Sequence, residues 1–218
     1  MEQKSPLAQM LEELYSTLHQ PYPFRQVWPL LPLFFIRLFS AGGYVLSILG
    51  LIPASVYGGM DWFFNCLTAV CLFLLIRATS RYRTAAIFMV IAIGLSILSA
   101  ILGRPMMWDV LSAMCVLAAN FFEYTSHAII AVRQSGRLAN YWDRLFLFAF
   151  FAVFAGAFAF MVTLVLSYIA PEFSILSVII SYAPDLLVDI LYLIYMAMTL
   201  RLILKAERAQ NKGENYGA

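Results

Sequence analysis

Five polar side chains stand inside otherwise apolar stretches, and each can hold a charge, bind a polar ligand or pass a proton. Arg37 lies in LFFIRLFSA, Asn65 in WFFNCLTAV, Asn120 and Glu123 in LAANFFEYT, and Asp189 in LLVDILYLI. Arg37 is twelve residues beyond Arg25, Asn65 twelve before Arg77, Asp189 twelve before Arg201, and Glu123 ten before Arg133. At a helical rise of ~1.5 Å per residue these distances place the group in one layer, with Asn120 one turn deeper. Glu123 and His127 are four apart and share a helix face, as do Asp185 and Asp189, with Tyr192 continuing the latter stripe. Two carboxylates one turn apart repel, so the Asp185/Asp189 pair calls for a shared proton, for Arg37 or for a cation between them.

Ionisable groups inside an apolar span are costly, and by default they mark a pathway or a binding site. Arg37, Asn65, Asn120, Glu123, His127, Asp185, Asp189 and Tyr192 are therefore expected to form a substrate or proton path between the first, second, fourth and sixth apolar segments. The competing reading is ion-paired glue, in which Arg37 and the acids satisfy one another and fix helix packing or hold a partner subunit. His127 is expected near the headgroup boundary, at the end of its segment. His19 is the only other histidine, and two histidines in such different settings do not make a haem pair or a His-rich metal centre.

Motifs of known chemistry are missing. The sequence has no HExxH, no GxSxG elbow, no Walker A run and no CxxC pair, so no catalytic or metal-ligating set and no cofactor is assigned. Cys66, Cys71 and Cys115 all fall in apolar runs and read as small buried hydrophobes rather than a disulfide framework.

The elements that must position these residues follow from composition. Of 218 residues, 63% are hydrophobic and 12% charged, against roughly 25% charge in soluble domains. Mean hydropathy is +0.83. Soluble nucleotide-binding enzymes, DNA-binding domains and secreted disulfide scaffolds are excluded. A net charge of +2 is too small to imply a nucleic-acid partner. The apolar runs cover about 28–52, 61–76, 85–102, 109–132, 145–169 and 175–204. The expected fold is an all-α, polytopic bundle of six transmembrane helices. Pro184 is a candidate kink in the sixth. The fifth alternates Phe with Ala and Gly, giving a small-residue face for close helix contact.

Residues 1–24 are expected to form a cytoplasmic amphipathic segment. Ser5 and Pro6 start a surface helix over 6–19, with Leu7, Met10, Leu11, Leu14, Tyr15 and Leu18 on one face. This stretch lacks the apolar core of a cleavable signal peptide. Residues 25–208 are expected to form the membrane domain, and 209–218 a disordered cytoplasmic tail. With six alternating helices and a cytoplasmic N-terminus, the inner side collects Lys4, Arg25, Arg77, Arg81, Arg83, Arg133, Arg137, Arg144, Arg201, Lys205, Arg208 and Lys212. The outer side receives only Arg104. Twelve positive charges against one satisfy the positive-inside rule, with both termini cytoplasmic. A bacterial inner membrane is the most economical location. Arg104, Trp108 and Asp109 read as an interfacial anchor, and the basic loop 133–144 as a contact for anionic lipid or a cytoplasmic partner.

These features imply a small transporter or permease-like protein with a charged intramembrane site. The alternative is an embedded accessory or assembly subunit of a larger complex; an intramembrane enzyme ranks below both. Membrane lipids are the expected surroundings, and a homo-oligomer or a cytoplasmic or membrane partner subunit the expected association.

Overall fold

Prolines and glycines place the breaks between helices. Pro23 (φ −62°, ψ 136°) and Pro53 (φ −61°, ψ 142°) are extended, and a helix begins directly after each. Gly50 (φ +70°) and Gly103 (φ +78°) take the left-handed conformation just past helix ends, where a side chain would be strained. The computed structural model describes residues 22–103, 106–169 and 174–214. Within them a short turn at Phe24–Val27 leads into α1 (Leu30–Ile48) and α2 (Ala54–Leu74), the latter closed by a 3₁₀ turn at Leu75–Arg77. Then come α3 (Arg81–Ile101), α4 (Met106–Val132), α5 (Gly136–Ile169) and α6 (Ser174–Glu214). Six helices are long and apolar enough to span a membrane.

The chain is an all-α, six-helix bundle. Each helix packs on its neighbours in sequence, and α1 returns to α6, so the six close into a ring. The largest core joins the first turns of α1, α3 and α5 to the last turns of α2 and α4 and the C-terminal half of α6. Val27, Leu30, Leu75, Tyr82, Ile130, Leu138, Trp142 and Ile203 all belong to it. Arg25, Arg77, Arg81, Arg133, Arg137 and Arg201 flank these same turns, so one end of the ring is basic and tightly packed. On α3 the buried positions Tyr82, Ala85, Ala86, Met89 and Ala92 recur at helical spacing. The small ones let α4 approach closely. Towards the other end, Tyr44 of α1 packs against Tyr57 of α2 and Tyr182 of α6, with ring centroids 5.7 and 5.6 Å apart. Gly43 lies beside them, and a Cβ there would stand in ordinary contact with Tyr57 and Met60 at 3.6 Å.

Five helices outrun their apolar segments, the second, fifth and sixth by the most. The second segment, expected from 61, starts at Ala54. The fifth, expected from 145, starts at Gly136, which shortens the basic loop of 133–144 to a turn before that residue. The Ser135 hydroxyl accepts the Leu138 amide there at 3.5 Å, and burial of Leu138 and Trp142 draws the polar stretch GRLANYWDR into the helix. The sixth runs on to Glu214, past residue 209 where disorder is expected, through strong helix formers in KAERAQ. Pro184 sits inside it. The surface helix expected over 6–19, Arg104, the loop at 170–173 and residues 215–218 lie outside the described residues.

Candidate functional site: a buried Arg–Glu–Tyr–His chain

Glu123 lies on α4 in the middle of the ring and is 0% exposed. Across from it, on α1, Arg37 donates from Nη2 to Glu123 Oε2 at 2.7 Å. The same nitrogen reaches Asn120 Oδ1 at 3.5 Å. From α6, the Tyr192 hydroxyl donates to Glu123 Oε1 at 2.6 Å. One carboxylate thus ties three helices together.

The chain continues through His127, one turn along α4 and also 0% exposed. His127 Nε2 is 3.2 Å from the Tyr192 oxygen, and Nδ1 is 2.7 Å from the Tyr82 hydroxyl on α3. Tyr192 has spent its single proton on Glu123, so its oxygen can only accept, and Nε2 must carry hydrogen. In the neutral ring Nδ1 is then the acceptor, and Tyr82 donates to it. Every hydrogen in the run Tyr82, His127, Tyr192 therefore points towards Glu123. The Nε2 of His127 also lies 3.5 Å from Glu123 Oε1.

Aromatic side chains wall this chain in. The Trp142 ring of α5 stacks at a tilt on His127, centroids 4.5 Å apart, and meets Tyr192 edge-on at 5.3 Å. Its indole N–H donates to the Thr199 hydroxyl at 3.1 Å, which in turn donates to the Tyr195 carbonyl at 2.8 Å. The Arg37 guanidinium lies 5.4 Å from the Tyr192 ring centre, a cation–π contact. Burying Glu123 alone would be prohibitive; pairing with Arg37 and bonding to Tyr192 compensate its lost hydration.

The remaining acids are elsewhere. Asn65 does not join the chain; its Nδ2 donates to Asp61 Oδ2 at 3.0 Å, one turn back on α2. That pair lines a cleft of about 620 Å³ between α2 and α3, with Ser55, Gly58, Gly59, Trp62, Ser96 and Ala100. Asp189 is half-buried and Asp185 exposed, and among the described residues neither accepts a hydrogen bond. Among the described residues neither forms an ion pair. A smaller cleft of about 440 Å³ opens among α3, α4 and α5 at the basic end, next to Arg81, Asn140 and Asp143.

Of the eight sequence-predicted site residues, the structure joins Arg37, Asn120, Glu123, His127 and Tyr192, and leaves Asn65, Asp185 and Asp189 apart. His127 is enclosed by the bundle, with Tyr82 and Trp142 closing over it. Those two were hidden from sequence reasoning, since Tyr82 sits in RYRT and Trp142 in a stretch that reads as loop. The (i, i+4) spacing of Asp61 and Asn65 was the available signal for their pair. The expected anchoring of Asp109 with Arg104 lies outside the described residues; Asp109 itself accepts the Ser99 hydroxyl at 2.7 Å. Beside it Ser96 and Ser112 are 2.9 Å apart, forming a polar seam between α3 and α4. Among the described residues no three His, Cys, Asp or Glu side chains converge to hold a metal ion. No protein-family model matches the chain, and no curated protein or solved structure shows significant similarity to it.

Proposed function

We propose that this chain is a small multi-pass transporter or permease of a bacterial inner membrane, with both termini cytoplasmic, that moves a small polar solute through the ring interior. The observation carrying this reading is the position of Arg37. Its guanidinium pairs with a fully buried carboxylate beside the large core that fills the basic half of the ring. Towards the other end the helices part into a cleft lined by Asp61 and Asn65. A polar group at the boundary of an open and a closed compartment is the arrangement alternating access requires. Under the positive-inside rule the cleft opens outward and the packed half is cytoplasmic.

Asp189 provides the test. The half-buried carboxylate makes no hydrogen bond to a described residue, so its removal leaves the core intact. In proteoliposomes screened with pools of small anions, cations and amino compounds, Asp189→Asn is expected to abolish flux while the protein stays folded and monodisperse. Unchanged flux would overturn the assignment.

The accessory-subunit reading is favoured by a different feature. Arg81, Arg83, Arg137 and Arg144 are exposed at the basic end and complement an acidic cytoplasmic partner. A stoichiometric second polypeptide retained on gentle solubilisation, and lost when these arginines are replaced by Gln, would select it.

A further inference from the structure

We propose that Glu123 is a proton carrier that exchanges with the basic face through Tyr192, His127 and Tyr82, and that its protonation releases Arg37 towards the cleft. The substrate whose movement this would drive rests on the transport reading above; the proton switch itself does not.

The geometry supplies a complete relay. Four heavy-atom steps of 2.7, 2.6, 3.2 and 2.7 Å connect Arg37, Glu123, Tyr192, His127 and Tyr82 in turn. The interior members are sealed from solvent, with Tyr192 3% exposed and Tyr82 0%. The balance of the transfer is simple. Tyr192 passes its hydroxyl proton to Glu123 Oε1 and takes the Nε2 proton of His127. His127 takes the Tyr82 proton on Nδ1, and Tyr82, itself 0% exposed, is reprotonated by hydronium that reaches it when the first turn of α3 opens to the basic side. One proton enters, Glu123 becomes a neutral acid, and His127 has exchanged one tautomer for the other. No heavy atom moves in the transfers themselves and no isolated charge persists on the tyrosines or the imidazole. A histidine with a hydroxyl on each ring nitrogen is suited to this exchange, because either nitrogen can donate or accept.

Placement gives the relay a direction. Tyr82 sits in the first turn of α3 between the exposed Arg81 and Arg83, so the chain ends one turn below the basic face. Arg37 terminates it at the other end. The groups around Glu123 are Arg37 from α1, Cys71 from α2, Tyr82 from α3, His127 and Tyr124 from α4, and Tyr192 from α6; α5 contributes the unionisable Trp142. Arg37 is the only permanent cation in this set. Once Glu123 is neutral, Arg37 keeps its charge but loses its partner. The carboxylates within its electrostatic reach are then Asp189 and Asp61, towards the cleft. Protonation on one side of the site thus changes what is attractive on the other.

The test needs no solute. In reconstituted protein, a drop in pH is followed by time-resolved infrared difference spectroscopy of the protonated-carboxyl C=O stretch. The band absent from Glu123→Gln belongs to Glu123. Tyr82→Phe removes only the outermost link and is expected to slow growth of that band about tenfold or more, without moving its midpoint. A merely structural Tyr82 would leave the rate unchanged. Should that variant fail to fold, the wild-type rate in mixtures of light and heavy water decides: several protons in flight give a curved dependence on deuterium fraction, and one gives a straight line. The proposal is overturned by no Glu123 band at any pH that preserves the fold, by an unchanged rate in Tyr82→Phe, or by the straight line. The transport reading fails separately: a proton switch with no flux of any solute would sink transport and leave the relay. Flux lost in Asp189→Asn with no Glu123 band would do the reverse.

Discussion

The two halves of the ring are built from the same apolar helices yet use polar groups in opposite ways. In the basic half the polar groups are linked into a run: Arg37, Glu123, Tyr192, His127 and Tyr82 connect in turn and Trp142 is tied to Thr199, with Arg37 Nε and Gln134 Nε2 left without a partner among the described residues. In the cleft half, among the described residues, Asp61 bonds to Asn65, while Asp185 and Asp189 are held by no hydrogen bond. Packing differs in parallel. Large side chains such as Tyr82, Leu30 and Trp142 fill the basic half, whereas Gly58 and Gly59 face open space in the other. A linked, close-packed network resists change, and an acid without a described partner is available to a ligand.

The sharpest way to break this comparison is to leave one buried charge alone. Glu123→Leu strands Arg37 and is expected to cost about 3–5 kcal/mol in denaturant unfolding of the detergent-solubilised protein. The double variant Arg37→Met/Glu123→Leu should recover most of that loss, because an apolar pair of similar volume avoids desolvation altogether. If the double variant is no more stable than the single, the pair is not the element holding this half together. Trp142→Ala should cost about 3–5 kcal/mol through the cavity it leaves beside His127, again read from unfolding midpoints. Thr199→Val removes one acceptor and should cost about 0.6 kcal/mol.

In the cleft half the smallest effects on stability are expected. Gly58→Ala meets nothing within 4 Å, and the gain in helix propensity makes it neutral or stabilising by up to about 1 kcal/mol. A large loss there would show that the cleft is filled by another part of the protein. Solute flux should respond in the opposite order to stability, with Asp189→Asn severe for flux and mild for folding.

Much of this architecture is legible in composition and spacing. Apolar runs of the right length announce six spans, and alternation of their ends collects the arginines on one side. The (i, i+4) pairing of Glu123 with His127 places both on one face, and similar distances from flanking arginines place Arg37 and Glu123 in one layer. Asp189 satisfies the same depth rule and yet stays outside the chain. Depth along a helix is readable from residue count, but rotation about its axis is not, because it depends on which neighbours pack where. Tyr82 and Trp142 illustrate the same limit from the other side. Their polar surroundings place them in loops, and burial against His127 pulls them into helices.

The sequence by itself therefore determined the class of protein, the number of spans, the side that carries positive charge and the layer in which the charges lie, because each follows from the cost of putting polar groups into hydrocarbon. Tertiary structure alone decided that Arg37 chooses Glu123 over Asp189, that His127 is buried under Tyr82 and Trp142, and that the large core fills the basic half while Asp61 and Asn65 line a cleft in the other. Those outcomes depend on how six helices are turned against one another, and the energy that turns them comes from contacts between residues far apart in the chain.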